Sequence, residues 1–254
     1  MNIRISLFML TMILRDFIPP NLISPLNERL SKALSKLKSN GVAIFPGRLS
    51  NSESDDIKKW VNSNLGNSKK HGSDYRIWSA QQKNKLVNDL FSNNIDIKQI
   101  GERYLKSNIS LQTTMAAKLT YQPGNLGSGQ GWHRDSYSAQ YKSMCYLSNV
   151  DEDSGPFEYV IKSHTYKNIY NELVLNNKTK ERYRYSRFEP DFVASYMERF
   201  NLKSEKFYGK KGEIIIFDSR GVHRGHPINK GKRYAITNYF IKASQNKNDH
   251  SLEN

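Results

Sequence analysis

The chain has 254 residues, 37% of them hydrophobic and 11% aromatic, which is enough apolar material for a packed core and excludes a globally disordered protein. A formal net charge of +15 favours an anionic partner, whether nucleic acid, an anionic membrane surface or a phosphate- or carboxylate-bearing small molecule, although the lysines are spread along the chain rather than gathered in one block. The single cysteine, Cys145, excludes an intramolecular disulfide and fits a reducing, cytoplasmic setting; within "SMCYL" it reads as a small buried hydrophobe.

In chain order, Ile5 to Leu14 form an apolar run behind one arginine. It is too short to span a bilayer, and Arg15, Asp16 and Pro19-Pro20 follow where a cleavage site would need small residues. The expectation is an element packed on the domain, without membrane association. Leu26, Leu30, Leu34 and Leu37 recur at helical spacing, and Asn40-Gly41 end the pattern. "VAIFP" reads as a short buried strand. "LSNSESDDIKKWVNSNL" reads as a second helix with serine caps and acids in its first turn. Residues 85 to 106 form a third helical region broken near Asn93-Asn94.

After residue 108 the texture changes to short runs of apolar, aromatic and β-branched residues: "SLQTTMAAKLTYQ", "YKSMCYLSNV", "PFEYVIK", "GEIIIFD" and "RYAITNYFIKA". Turn signals such as "PGNLGSG" and "DEDSGP" separate them, which argues for an antiparallel sandwich or barrel. Residues 166 to 208 interrupt the pattern with a polar, Tyr/Arg-rich insert of some helical character. Without a Gly-, Ser- or Pro-rich linker, the expectation is one domain over 1–254: a mostly helical flanking region (1–107), a β core (108–242) containing the insert, and a frayed tail (243–254).

The chemistry centres on "GWHRDSY". On a strand, His133 and Asp135 at i and i+2 point the same way, and Arg134 between them points to the opposite face. A further histidine, His223, follows the strand "EIIIFD" and its turn; His226 lies three residues on and could serve instead. Two histidines and one carboxylate on one side of a metal leave positions open, the arrangement of non-haem Fe(II) oxygenases. Arg233, at the start of the next strand, has the fork that a dicarboxylate cosubstrate requires.

Taken together, "GWHRDS", "DEDSGPFEYVIKSHT" and "GEIIIFDSRGVHRGHPINKGKRYAITNYF" resemble the phytanoyl-CoA dioxygenase branch of the Fe(II)- and 2-oxoglutarate-dependent oxygenases. Gly155-Pro156 and Ser163-His164 fall in register with the family's GP and SH elements, and "NGVAIFPGRLSNSE" resembles its opening strand and helix. The resemblance implies a mainly β fold with flanking helices on a double-stranded β-helix (jelly-roll, cupin-like) core. It implies Fe(II) held by His133, Asp135 and His223, in preference to His226, with the far carboxylate of 2-oxoglutarate on Arg233. The implied reaction couples decarboxylation of 2-oxoglutarate, with O2, to succinate and CO2 with oxidation of a C–H bond, usually hydroxylation.

Other assignments are looser. Met144, with Tyr146 on the same strand face, aligns with a position that often lines the cosubstrate pocket. His226 is a substrate-facing or turn residue, and His164 makes a structural hydrogen bond. Arg182, Arg184 and Arg187 in "ERYRYSRFEP" are contacts for an anionic small-molecule substrate. Lys162 stands where the family's "VPGSH" carries glycine. A basic nucleic-acid-binding or nucleic-acid-modifying protein on the same scaffold is the alternative, but no recognition motif supports a stable nucleic-acid partner.

Overall fold

The computed structural model describes residues 3–16, 25–176 and 186–243. Two antiparallel sheets face each other. The larger has seven strands in the order β1 (Val42–Arg48), β10 (Glu213–Asp218), β6 (Tyr141–Tyr146), β12 (Lys232–Lys242), β4 (Ile109–Thr120), β3 (Asp74–Ile77) and β2 (Lys69–His71). The smaller has five, in the order β8 (Arg187–Phe188), β5 (Trp132–His133), β11 (His223–Gly225), β7 (Phe157–Val160) and β9 (Ser204–Phe207). The chain alternates between the sheets, so the short, punctuated strands form an antiparallel sandwich, and this is the jelly-roll core that the resemblance implies.

Side-chain alternation divides the large sheet between two cores. On β6, Tyr141 and Cys145 point outward into a cluster with Ile214, Ile216, Ile236 and Phe240. Helices α2 (Glu28–Asn40), α3 (Asn51–Ser63) and α5 (Ile95–Leu105) cover that face through Leu37, Ile57, Val61, Ile97 and Ile100, all essentially inaccessible to solvent. Met144 and Tyr146 point the other way, between the sheets, where Phe157, Tyr159, Phe207, Ile215 and Phe217 meet them. The helical layer therefore seals one face of the large sheet and leaves the inter-sheet space for a site.

Local chemistry fixes the helices where the spacing predicts them. Asn27 caps α2 by accepting from Leu30 N, and Gly41 ends it at φ 84°, a left-handed conformation that glycine adopts without steric cost. A capping box between Ser50 and Glu53 starts α3. Asn94 caps α5 after one turn of π-helix over Val87–Ser92, so the break falls at Asn93-Asn94 as expected. Gly41 also packs under His164 and Tyr159, which have no room for a β-carbon there.

Two features differ from the sequence reading. The front third is not purely flanking: β1, β2 and β3 extend the large sheet. Lys69–His71 and Asp74–Ile77 are short and polar, so their composition carries no strand signal. The insert supplies α6 (Tyr166–Leu175) and α7 (Pro190–Arg199), and it also contributes β8 and β9 to the small sheet. At the N-terminus, α1 (Ile3–Asp16) packs Ile5, Met9 and Met12 against Tyr137, Ile169 and Leu173. Among the described residues no helix is long and apolar enough to cross a membrane.

Candidate active site

His133 and His223 are ninety residues apart in sequence but directly opposite each other on the paired strands β5 and β11. Their ring centroids lie 4.3 Å apart. Each ring is held the same way: Nδ1 of His133 lies 2.9 Å from the Gly131 carbonyl, and Nδ1 of His223 lies 2.9 Å from the Gly221 carbonyl. A carbonyl only accepts, so each Nδ1 carries the proton and donates, which leaves both Nε2 lone pairs for a metal. Burial, together with the neighbouring His133, pulls the His223 pKa down to about 3, so the imidazole is neutral, as ligation requires.

Asp135 completes the group, although not as a strand partner. β5 ends at His133, and Asp135 sits in the following bend, tied down by its N–H to the Ser219 carbonyl at 3.0 Å. Asp135 Oδ1 lies 3.4 Å from His133 Nε2, and Oδ2 lies 3.9 Å from His223 Nε2. One ligand atom from each of the three residues falls within 4.8 Å of the others. Burial opposes ionisation of Asp135, but Lys142, then His133 and His223, outweigh it and hold the carboxyl well below the usual carboxylate range.

Beside this group is a cavity of about 190 Å³. Met115, Met144, Phe157 and Phe217 give it apolar walls, and Arg76, Lys142, Arg187 and Arg233 give it cationic ones. Arg233 is only 3% exposed, and neither its Nε nor its Nη1 has a hydrogen-bond partner. Burial pulls its pKa below the ordinary arginine range, with Tyr146 and Asp74 acting the other way. Unpartnered buried guanidinium nitrogens are rare, because each costs about 1–3 kcal/mol. Nε and Nη1 face different sides of the guanidinium, so a bidentate anion, forked on Nη2 and either of them, would satisfy one. The two imidazoles, the ionised carboxylate and this arginine thus fit an iron–2-oxoglutarate pair.

The other expected positions divide. Met144 lines the cavity. Tyr146 shares its strand face but is not among the lining residues: its hydroxyl donates to Phe207 O and accepts from Phe157 N, which ties the two sheets together. His226 is half-buried, with Nδ1 on the Pro227 carbonyl, and is likewise not a lining residue. Arg187 is an exposed residue of the cavity rim and donates to the Gly129 and Gln130 carbonyls. Arg182 and Arg184 lie outside the described residues. Arg134 points away from the cavity, fully buried against Glu172 and the Ser163 carbonyl. Nε2 of His164 meets the Lys38 carbonyl at 3.1 Å, the structural role expected. Lys162 keeps the left-handed backbone of the glycine it replaces, at φ 66°.

Two charged lining residues escape the sequence reading. Lys142 lies two residues before Met144, so the alternation that exposes Met144 to the cavity exposes Lys142 as well. Arg76 lies on the unsignalled strand β3 and pairs with buried Asp74 at 2.7 Å, leaving its own Nε unpartnered. Ser128 also donates to Asp74, at 2.8 Å.

Fold and site together define a metal-dependent oxygenase. The sequence matches the family model described as phytanoyl-CoA dioxygenase over residues 12–235. The chain therefore belongs to the phytanoyl-CoA dioxygenase family, and its class is the non-haem Fe(II)- and 2-oxoglutarate-dependent dioxygenases, with Fe(II), 2-oxoglutarate and O2 as cofactor and cosubstrates. By sequence, no curated protein matches the chain. Solved structures share the fold at low identity. The epimerase SnoN in complex with Fe3+, α-ketoglutarate and nogalamycin RO aligns with TM-score 0.64 and 14% identity over 84% of each chain. EctD from S. alaskensis with bound Fe gives 0.62 and 14%, covering 90% of this chain and 83% of that one. HygX from Streptomyces hygroscopicus with nickel and 2-oxoglutarate gives 0.59 and 10%, covering 87% and 88%.

Proposed function

We propose that the chain hydroxylates a small or medium-sized anionic metabolite, with His133, Asp135 and His223 holding iron and Arg233 holding the far carboxylate of 2-oxoglutarate. The observation that carries this reading is the buried Arg233 guanidinium, its Nε and Nη1 unpartnered, in the same cavity as the three ligand residues. When bound, the iron with 2-oxoglutarate and O2 supplies the oxidising power for C–H hydroxylation, with succinate and CO2 as coproducts.

The chain's own residues bind and orient. The Gly131 and Gly221 carbonyls fix both imidazole tautomers. Met115, Met144, Phe157 and Phe217 keep water from the inner cavity and lower its dielectric, which strengthens the Arg233 contact. Arg187 at the rim is the substrate's outer contact, and Arg182 and Arg184 are assigned the same role from their place in the insert. The site supports a free small molecule better than a nucleic acid, because its cations converge on one cavity. A reducing, cytoplasmic setting agrees with the buried free thiol of Cys145.

The test is turnover. Succinate formed from 2-oxoglutarate with Fe(II) and O2, and lost in His133→Ala, supports the reading. A folded wild-type protein that binds neither iron nor 2-oxoglutarate ends it.

A further inference from the structure

Lys142 is 5% exposed, on the central strand β6, between a proposed metal-binding carboxylate and an aromatic face. Its Nζ lies 2.5 Å from Asp135 Oδ2 and 3.8 Å from the centroid of the Tyr239 ring, which sits opposite it on β12. Such burial is unusual for lysine, whose ammonium is strongly hydrated and is kept from water only where anions or aromatic faces replace that water.

The charges around the cavity can be matched in pairs. Asp74 answers Arg76. The far carboxylate of 2-oxoglutarate answers Arg233. The two charges of the metal are answered by the Asp135 carboxylate and by the near carboxylate of the cosubstrate. In the loaded site Asp135 is shared with the metal, so Lys142 has no anion to itself. Leaving a cation desolvated and uncompensated is costly, so the remaining ligand, the substrate, is the one expected to bring the anion.

We propose that Lys142 is the substrate's inner anion contact and that the substrate is a carboxylic acid, or a comparably small monoanion, oxidised at a carbon close to its acidic group. This rests on the oxygenase reading and adds position to it. Because Nζ touches Asp135, an anion held by Lys142 is a near neighbour of the metal. Arg187 is an exposed rim residue and specifies no such distance. The Tyr239 ring, itself a lining residue, lies beside the ammonium, so the lysine need not swing far to take a second partner.

The experiment uses full-length protein loaded with Co(II) and 2-oxoglutarate without O2, and 13C-labelled acetate as probe with acetamide as its neutral isostere. The quantity read is the saturable paramagnetic relaxation of the labelled carbon. Wild type should favour acetate over acetamide by roughly tenfold to a hundredfold, the worth of one charged hydrogen bond. Lys142→Met should bring acetate down to the acetamide level, and Lys142→Arg should keep most of the preference. Equal relaxation of the two probes in wild type, or an acetate preference that survives Lys142→Met, overturns the proposal. Lys142→Gln takes the place of the methionine variant if that one does not fold. The visible Co(II) spectrum is followed as 2-oxoglutarate is added. If wild type shows no response there, the oxygenase reading has failed, whereas a normal response without acetate preference defeats the Lys142 proposal alone.

Discussion

Replacing Arg233 with methionine should make the cosubstrate-free protein more stable while removing its response to 2-oxoglutarate. The side chain is 3% exposed, and its Nε and Nη1 lack partners. Methionine fills much of the same volume with no polar atom to satisfy. Relief of the unsatisfied donors is worth about 1–3 kcal/mol, or roughly 2–10 °C in Tm for a chain of this size. Asp74 is not orphaned by the change, because Arg76 and Ser128 still bind it. The cosubstrate loses two charge-assisted hydrogen bonds of about 1.5–3 kcal/mol each, which weakens it roughly a hundredfold or more. The assay is thermal unfolding of the Zn(II)-loaded protein with and without 2-oxoglutarate. At a hundred times its wild-type Kd, 2-oxoglutarate should stabilise wild type by about 2.7 kcal/mol and Arg233→Met by no more than about 0.4 kcal/mol. A variant that is less stable than wild type and still shifts with 2-oxoglutarate would show that the guanidinium is a structural element and not a binding group.

Three further outcomes follow from particular positions. A β-carbon on Gly129 would fall 2.2 Å from His133 Cε1 at a backbone φ of 80°, so Gly129→Ala should weaken Co(II) binding roughly tenfold to a hundredfold; Gly66→Ala, with nothing within 4 Å, should leave it unchanged in the same titration. Lys162→Gly should raise the denaturant midpoint by a stability of about 1 kcal/mol, since Lys162 holds φ 66° where glycine is unstrained. Burial lowers the pKa of His164, so the folded state resists its protonation. Stability from this source is complete above the unfolded histidine pKa of about 6.5 and falls as the pH drops below it, by at most about 1.4 kcal/mol per pH unit. His164→Gln should flatten that acid limb of the stability curve; an unchanged slope would mean that other groups account for it.

The strands carrying the fold were legible because burial on both faces makes them short, nearly continuous apolar and aromatic runs, as in "EIIIFD" and "RYAITNYFI". The helices were legible from leucine spacing, from the Asn40-Gly41 stop and from the serines that start α3. His133, Asp135, His223 and Arg233 could be gathered because their order along the chain matches a known pattern, and the structure brings all four to one cavity. Arg76 stayed hidden because Asp74–Ile77 is a polar strand whose place is set by its neighbours in the sheet rather than by its own residues. Lys142 was within reach, since it shares a face with Met144, but a lysine in an apolar run reads as an edge and not as a buried group. Tyr146 shows the converse: sharing a strand face with Met144 did not bring its hydroxyl to the cavity, because two backbone groups of the opposite sheet engage it first.

If three side chains and one arginine assemble a single iron–2-oxoglutarate site, anaerobic titration of the metal-free protein will show it in two ordered steps. One Fe(II) should bind per chain, then one 2-oxoglutarate only after iron and marked by a visible charge-transfer band, with both events lost in His223→Ala. Iron bound equally well by His223→Ala, or 2-oxoglutarate bound by wild type without any change in the iron spectrum, would contradict it.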